Sequence, residues 1–474
     1  MAPPCTLELV SKTECPPYAL TCVGDRYVIV GGGGGFAKTG IKNKFVVYQL
    51  YHMGKQTTAR CVLSHDVGDY CISNMTAWVD EERTAKVTDN RTNEKNHGYT
   101  TPCPTINLAY GCEESCVIVQ LTPKLVTENN AKDQITSAQQ GADAGVRNRK
   151  PQADKSTSRS SSENNKASKN GIVRLPTYYT FTVMELCRFT SVFSRPPSST
   201  SPGLVAAPGV LLKEDVYQKT CRVTRDCSKL VTGGTDGRVR VWSCLQRPPK
   251  LLLDIDAHLK EVDQLDVSPD GSHVVSVCKG QRECCVWSCS SGKKVAALGL
   301  DTAGLKYKFA WARFGCVENN IKNTRLFTIS NPVVGTKHPG IVCKWSDKQY
   351  ALERRQSLDG VLSNLAVSSD GRYLATGTMD GDLIIMIAFS LQVLQRLPDA
   401  HSMFVTGLEW LPDGSRTSCI VRGFSDASVL SVSCDNAMKI AHVPSVTMAP
   451  VWLVAILSAV VLCATFVIAS YLGL

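Results

Sequence analysis

No Cys-x-x-Cys pair occurs in this 474-residue chain, although it holds 21 cysteines. Cys112 and Cys116 are spaced Cys-x-x-x-Cys, Cys284 and Cys285 are adjacent, and no histidine stands at zinc-finger spacing. The common structural zinc frameworks are thereby disfavoured, and the cysteines read as buried small hydrophobes. The Met-Ala-Pro-Pro-Cys start lacks the basic-then-apolar pattern of a secretory leader. A body in the reducing cytosol with free thiols is therefore expected, with the sequons at Asn74 and Asn90 silent. G-x-S-x-G, H-E-x-x-H and other recognisable catalytic constellations are missing too, which argues against bond-making chemistry. Aromatic residues are absent between Tyr110 and Tyr178, and Lys, Arg, Asp and Glu are absent after Lys439.

The last of these absences marks a membrane segment. Val451 to Leu474 reads VWLVAILSAVVLCATFVIASYLGL. At about 1.5 Å per residue a helix of that length reaches roughly 36 Å, enough for a hydrocarbon core of about 30 Å. A buried core helix is the bland alternative, but such helices rarely stay wholly apolar beyond about 14 residues. Trp452 and Tyr471 lie near the two ends, and Lys439 and His442 precede the span, which places the body on the cytosolic side. Residues 447–474 are expected to form a single transmembrane tail anchor, and 1–446 the cytosolic domain.

In the body, short β-branched and aromatic runs alternate with Asp-Gly turns at Asp236, Asp270, Asp370, Asp380 and Asp413. Asp-Gly favours the positive φ of a tight hairpin. Tryptophans end comparable strands at Trp242, Trp287 and Trp345, and Trp242 to Trp287 is 45 residues. A period of about 40–45 residues is that of a four-stranded propeller blade. The DAH tripeptides ending at His258 and His401 take the place of the Gly-His of WD repeats, and Trp-Ser replaces Trp-Asp. The tryptophans read as blade packing rather than a cofactor box. Together these features predict an all-β fold, a seven-bladed WD-repeat-like β-propeller. Its blades fall near 18–63, 68–190, 214–253, 258–299, 305–350, 360–396 and 403–444. The second is interrupted by a polar, low-complexity insertion at about 122–176, expected to be disordered because it cannot bury enough to offset ordering entropy. The proline-rich stretch 194–209 reads as an irregular connector. Net charge is +10, but half the excess lies between Lys124 and Arg174, with ten basic and five acidic residues. The charge is thus weak support for any particular partner.

One motif stands apart. Gly31, Gly32, Gly33, Gly34 and Gly35 follow a strand-like YVIV, and Phe45–Leu50 resumes a β pattern. Gly32 to Thr39 nearly matches the phosphate-binding G-x-x-x-x-G-K-[ST], with Ala37 in place of the second glycine. That chemistry needs a helix after the loop, whose amides hold phosphate, and a β run follows instead. A plain flexible hairpin is the second reading, although most hairpin loops hold about two to five residues. The third is a structured protrusion. There the glycines let carbonyl oxygens converge, as around a hard cation, and Ile41 forms an apolar tip. The segment LSHD (Leu63 to Asp66), read as the connection to the next blade, would share its face.

The run Gly31–Asn43 (GGGGGFAKTGIKN), the following Ser64-His65-Asp66, the degenerate seven-bladed body and the apolar C-terminus resemble the endoplasmic-reticulum guanine-nucleotide exchange factors. That family activates the small GTPase of the COPII coat. This chain departs from the pattern by a fifth glycine, by Phe36 and by the long insertion. The resemblance implies exchange activity at the endoplasmic-reticulum membrane, starting ER-to-Golgi vesicle formation. It makes Gly40, Ile41 and Asn43 the exchange loop, and Lys38, Thr39, Lys42, His65 and Asp66 the contacts to the GTPase. Gly31 to Gly35 would shape the loop, with Asn43 as a brace or oxygen ligand. The one cofactor implied is a structural potassium ion; no nucleotide-binding residues are assigned on the chain itself. Coat-assembly scaffolds are further implied partners. Two rivals differ in class: a DNA-binding transcriptional regulator, disfavoured because the insertion mixes acids and lacks stacking aromatics, and a non-catalytic WD-repeat scaffold.

Overall fold

The computed structural model describes residues 4–35, 40–53, 56–80, 103–125, 179–194, 216–302, 304–333, 338–412, 421–423, 425–445 and 451–472. Its strands form seven four-stranded antiparallel sheets. The first strand, β1 (Thr6–Lys12), belongs to the last blade. Blade 1 is β2 (Pro17–Val23), β3 (Tyr27–Gly32), β4 (Asn43–Met53) and β5 (Gln56–Gly68). Blade 2 is β6 (Met75–Val79), β7 (Ile106–Cys112), β8 (Ser115–Leu125) and β9 (Tyr179–Thr190). Blade 3 is β10 (Gln218–Val223), β11 (Lys229–Gly234), β12 (Arg238–Ser243) and β13 (Lys250–Asp256). Blade 4 is β14 (Gln264–Val267), β15 (His273–Cys278), β16 (Glu283–Ser288) and β17 (Lys294–Ala297). Blade 5 is β18 (Tyr307–Val317), β19 (Asn320–Pro332), β20 (Gly340–Trp345) and β21 (Leu352–Leu358). Blade 6 is β22 (Leu362–Val367), β23 (Tyr373–Thr378), β24 (Leu383–Ile387) and β25 (Val393–Leu397). Blade 7 is β26 (Val405–Trp410), β27 (Ser425–Ser433) and β28 (Ala437–Pro444), completed by β1.

The innermost strands β2, β6, β10, β14, β18, β22 and β26 touch one another in a closed ring, so the expected seven-bladed propeller is the observed fold. Strand alternation explains why both faces of a blade are apolar. In blade 1, Tyr27, Ile29, Phe45 and Val47 pack against Ile106, Leu108 and Val119 of blade 2. Their neighbours Val28, Val30, Val46 and Tyr48 pack against Leu430, Val432 and Ile440 of blade 7. The tryptophans close each blade from within. Trp242 donates to Thr232 Oγ1 (2.9 Å), Trp287 to Ser276 Oγ (2.8 Å) and Trp345 to Thr328 Oγ1 (2.9 Å). They pack the blades, as their spacing predicts. Most of the described cysteines are buried or half-buried, and those described are free thiols.

Two sequence readings need correction. The N-terminal strand β1 was given no blade, yet it pairs with β28 from Thr6↔His442 to Lys12↔Ala437 and closes the ring. LSHD is no connector: it lies inside β5, with His65 opposite Phe45 and Asp66 opposite Lys44. The true connection runs from Asp69 to Asn74. Of the insertion expected at about 122–176, Thr122 to Leu125 belong to β8; the rest of it, the Asp413-Gly414 turn and the connector 194–209 beyond Ser194 lie outside the described residues.

Antiparallel order gives the ring two ends. Connectors between blades share one end with the turns joining each blade's second and third strands: His258 N–H donates to Gly237 O and His401 N–H to Gly381 O, both at 2.9 Å. The glycine loop, between β3 and β4, lies at that end. β28 runs away from it, so Pro444 lies at the opposite end, followed by α1 (Val451–Leu472). Side chains of α1 are described only in part, and among the described residues no helix is long and apolar enough to cross a membrane.

Candidate functional site

The glycine run divides at its second residue. Gly31 and Gly32 are buried within β3. A Cβ on Gly31 would meet Ile72 Cγ2 at 2.8 Å, and one on Gly32 would meet the Pro16 carbonyl at 2.0 Å. Their work is close packing against the segments flanking β2 and β6, not loop shaping as the motif alone suggests. The loop proper begins at Gly33 and ends at Lys42, where the chain enters β4 rather than a helix. Gly33 has φ 149° and a Cβ there would lie 2.2 Å from Asn43 Oδ1. Phe36, Ala37, Lys38 and Thr39 lie outside the described residues.

Asn43 is buried at the loop's base, 3% exposed. Its Oδ1 accepts from Gly35 N–H (2.9 Å), and its Nδ2 donates to Gly68 O (3.1 Å) and Gly35 O (3.4 Å). One amide thus ties the loop to the end of β5, and both of its polar ends are satisfied. Beyond that tie, Gly40 (φ 80°), Ile41 and Lys42 are exposed, with Ile41 at 44%.

The residues on β5 support the loop from the side. Asp66 Oδ1 accepts from Gly68 N–H (3.0 Å), and Lys42 Nζ reaches its Oδ2 at 3.3 Å. The Gly68 amide first, and Lys42 second, hold the Asp66 carboxyl below the usual carboxylate range. His65 packs on Phe45, ring centroids 5.0 Å apart. Lys44 pairs with Glu14 across the base. Under the loop lies Cys71, which no motif marks. Burial pushes its thiol up to about 11, and the Cys15 thiol adds to that, while the Gly35 backbone pulls the other way. Of the residues the motif marks, the structure brings Lys42, Asn43, His65 and Asp66 together through the register of β4 and β5 and not through a connector; Tyr70 and Cys71, which are in the connector, carry no spacing signal.

Among the described residues, one cluster gathers metal-ligating atoms: those of His258, Glu283 and Cys285 lie within 4.8 Å of one another. Both ring nitrogens of His258 are already bonded, Nδ1 to Glu283 (3.1 Å) and Nε2 to Ser276 Oγ (2.8 Å). Ser276 in turn accepts from Trp287. This chain of hydrogen bonds fixes a blade connector and is complete without a metal.

Comparisons with known proteins agree with this architecture. The family model "WD domain, G-beta repeat" matches residues 217–243 and 354–385. The chain is 27% identical over 442 residues to the guanine nucleotide-exchange factor SEC12 of Mus musculus, covering 91% of this chain and 89% of that protein. To the protein of the same name in Rattus norvegicus it is 32% identical over 250 residues, 51% of this chain and 58% of the relative. To SEC12-like protein 2 of Arabidopsis thaliana it is 30% identical over 189 residues, 39% and 44% of the two chains. The repeat model accounts for two short stretches only, whereas the first of these likenesses runs from near one end of both proteins to the other. That breadth goes beyond a shared blade motif: the chain is similar along most of its length to the SEC12 guanine nucleotide-exchange factors.

Proposed function

We propose that the chain activates the small GTPase of the COPII coat at the endoplasmic reticulum by promoting guanine-nucleotide exchange, starting ER-to-Golgi vesicle formation. The observation that carries this reading is the chain-long likeness to SEC12 exchange factors, seated on a propeller whose glycine loop is braced and outward-facing. Exchange needs no bond chemistry. The factor binds the nucleotide-free GTPase more tightly than the loaded form, and by linkage the nucleotide then binds more weakly. Moving such an equilibrium from 1:99 to 99:1 takes about 5.5 kcal/mol of differential binding. Burying Ile41 supplies roughly 1.5–3 kcal/mol, so the face around the loop must supply the remainder. Gly40 and Ile41 form the tip, Asn43 holds it, and Lys38, Thr39, Lys42, His65 and Asp66 are the surrounding contacts.

A potassium ion suits the donors at hand. The second lone pair of Asn43 Oδ1 and the carbonyl oxygens of Gly33 to Gly35 would hold it, because uncharged oxygen donors suit such a cation. When bound it would fix the loop's shape. The residues themselves present Ile41 and keep Lys42 drawn toward Asp66.

The anchor reading rests on α1. It has 22 residues and no charged side chain, and Ile456, Leu462, Phe466 and Tyr471 are exposed, the last two at 75% and 92%. Exposed apolar side chains along an uncharged helix suit a single-pass span in the endoplasmic-reticulum membrane with the propeller in the cytosol.

The test is GDP release from the COPII-coat GTPase, followed by tryptophan fluorescence, with and without the full chain and in potassium or sodium buffer. Accelerated release is the expected result. No acceleration in either buffer would leave a binding scaffold as the function.

A further inference from the structure

The end of the ring that carries the glycine loop continues into a groove of about 860 Å³ spanning blades 1 to 3, with Gly35 in its wall. The other walls include Tyr70, the Glu113–Glu114 turn, Phe193 and Tyr217, and no lysine or arginine is among the described residues lining it. Phe193 is 49% exposed and Tyr217 39%.

These side chains are held in place. Phe193 N–H donates to Asp236 Oδ2 (3.2 Å), and its ring lies over the buried Arg240 guanidinium, 4.9 Å from the centroid. Tyr217 N–H donates to Thr235 Oγ1 (3.1 Å). The turn is pinned as well: Glu113 O accepts from Gln218 N–H (2.7 Å), and Glu114 O accepts from Ser191 and Val192 N–H (2.8 and 3.0 Å). With its carbonyls bonded inward, the turn leaves both glutamates exposed. The Tyr70 hydroxyl is hydrogen-bonded to Glu113.

We propose that this groove is a second docking surface for the GTPase, taking a segment that presents an apolar side chain flanked by lysine or arginine. The proposal rests on the exchange reading above and says which surface holds the GTPase while the loop acts on it. Rigid, half-exposed aromatics are the usual anchors of an interface because little entropy is lost when they are covered. Two exposed carboxylates beside them select a basic partner and speed its approach. The shared Gly35 makes the groove continuous with the loop, so one partner can reach both.

The experiment measures GDP release at varied GTPase concentration, using the full chain in neutral phospholipid vesicles. Charge reversal at the turn (Glu113→Lys with Glu114→Lys) and Tyr217→Ala are each expected to raise KM for the GTPase about tenfold, with kcat nearly unchanged. The charge-reversed chain is also expected to lose most of the salt dependence of kcat/KM. Ile41→Ala, by contrast, is expected to lower kcat. Unchanged KM in both groove variants, with exchange by the natural chain intact, would overturn the groove proposal and leave the loop standing. If the natural chain itself fails to release GDP, the exchange reading falls, and the groove with it.

Discussion

Asn43 decides the shape of the loop because it is buried, short and bonded at both ends of its amide. Replacing it with alanine leaves the Gly35 and Gly68 backbone groups without their partner, a cost of about 1–3 kcal/mol where such groups stay buried. Asn43→Ala is therefore expected to speed hydrogen exchange at Gly35 and to slow GDP release, while the far blades keep their protection. Gly33→Ala drives a methyl into the same amide and is expected to act alike; normal exchange in both variants would exclude the brace. Ile41→Ala removes only an exposed tip. The roughly 1.5–3 kcal/mol of a buried isoleucine corresponds to about a ten- to hundredfold slower release at about 1.4 kcal/mol per decade. An unaltered melting temperature would show that the propeller is untouched. Asp66 belongs to the same scale: its Gly68 and Lys42 partners are present above the ordinary carboxylate pKa and are weakened as pH falls through its lowered folded value.

At the scale of elements, connectors and turns are fixed by polar groups rather than by apolar contact alone. Burial holds His258, His401 and His442 below the ordinary histidine range, against the opposing pull of Glu283, Asp435 and Glu8. An unfolded histidine takes up its proton near about 6.5. Between that value and the lower folded ones the unfolded chain binds more protons, so stability is full above about 6.5 and declines as pH falls. A lower urea midpoint at pH 5.5 than at pH 7.5 is expected, and a flat profile would contradict neutral buried rings. The turns of blades 4 and 6 add a second acidic loss. Burial raises the Asp270 and Asp370 carboxyls, but hydrogen bonds from Ser268 and Ser272, and from Ser368 and Arg372, outweigh it and hold both low. Their contribution disappears as pH drops below about 3.9 and through those folded values.

The whole molecule depends on closure and on its two ends. β1 is the outer strand of the last blade and joins residues near the start of the chain to β28. Deleting residues 1–12 exposes the edge of β28 and unseats Val10 from the core shared by blades 1 and 7. A cooperative loss of several kcal/mol is expected in denaturant unfolding, since an open strand edge loses a full ladder. The ends matter for α1 as well. The loop and Pro444 lie at opposite ends of the ring, so the loop's geometry does not pass through α1. Removing residues 446–474 is expected to leave kcat for a GTPase in solution unchanged. A large fall in that assay would mean that α1 helps shape the exchange face.

Much of this was legible in the residues themselves. Asp-Gly turns at Asp236, Asp270, Asp370 and Asp380 and tryptophans one blade apart determine a four-stranded repeat, because tight turns need positive φ and each blade must bury both faces. Gly31–Asn43 marked the loop because five glycines lead into a β run instead of a helix, whereas Asn43 as its brace was implied by the family resemblance. Tertiary structure alone decided the rest. That β1 completes blade 7 depends on a pairing more than 400 residues apart in sequence, for which local pattern has no signal. That Ser64-His65-Asp66 sits in β5 follows from its register with β4. That Gly31 and Gly32 serve packing follows from Ile72 and Pro16 pressing on their Cα atoms. The groove beside the loop is likewise assembled from three blades, and no single stretch of sequence contains it.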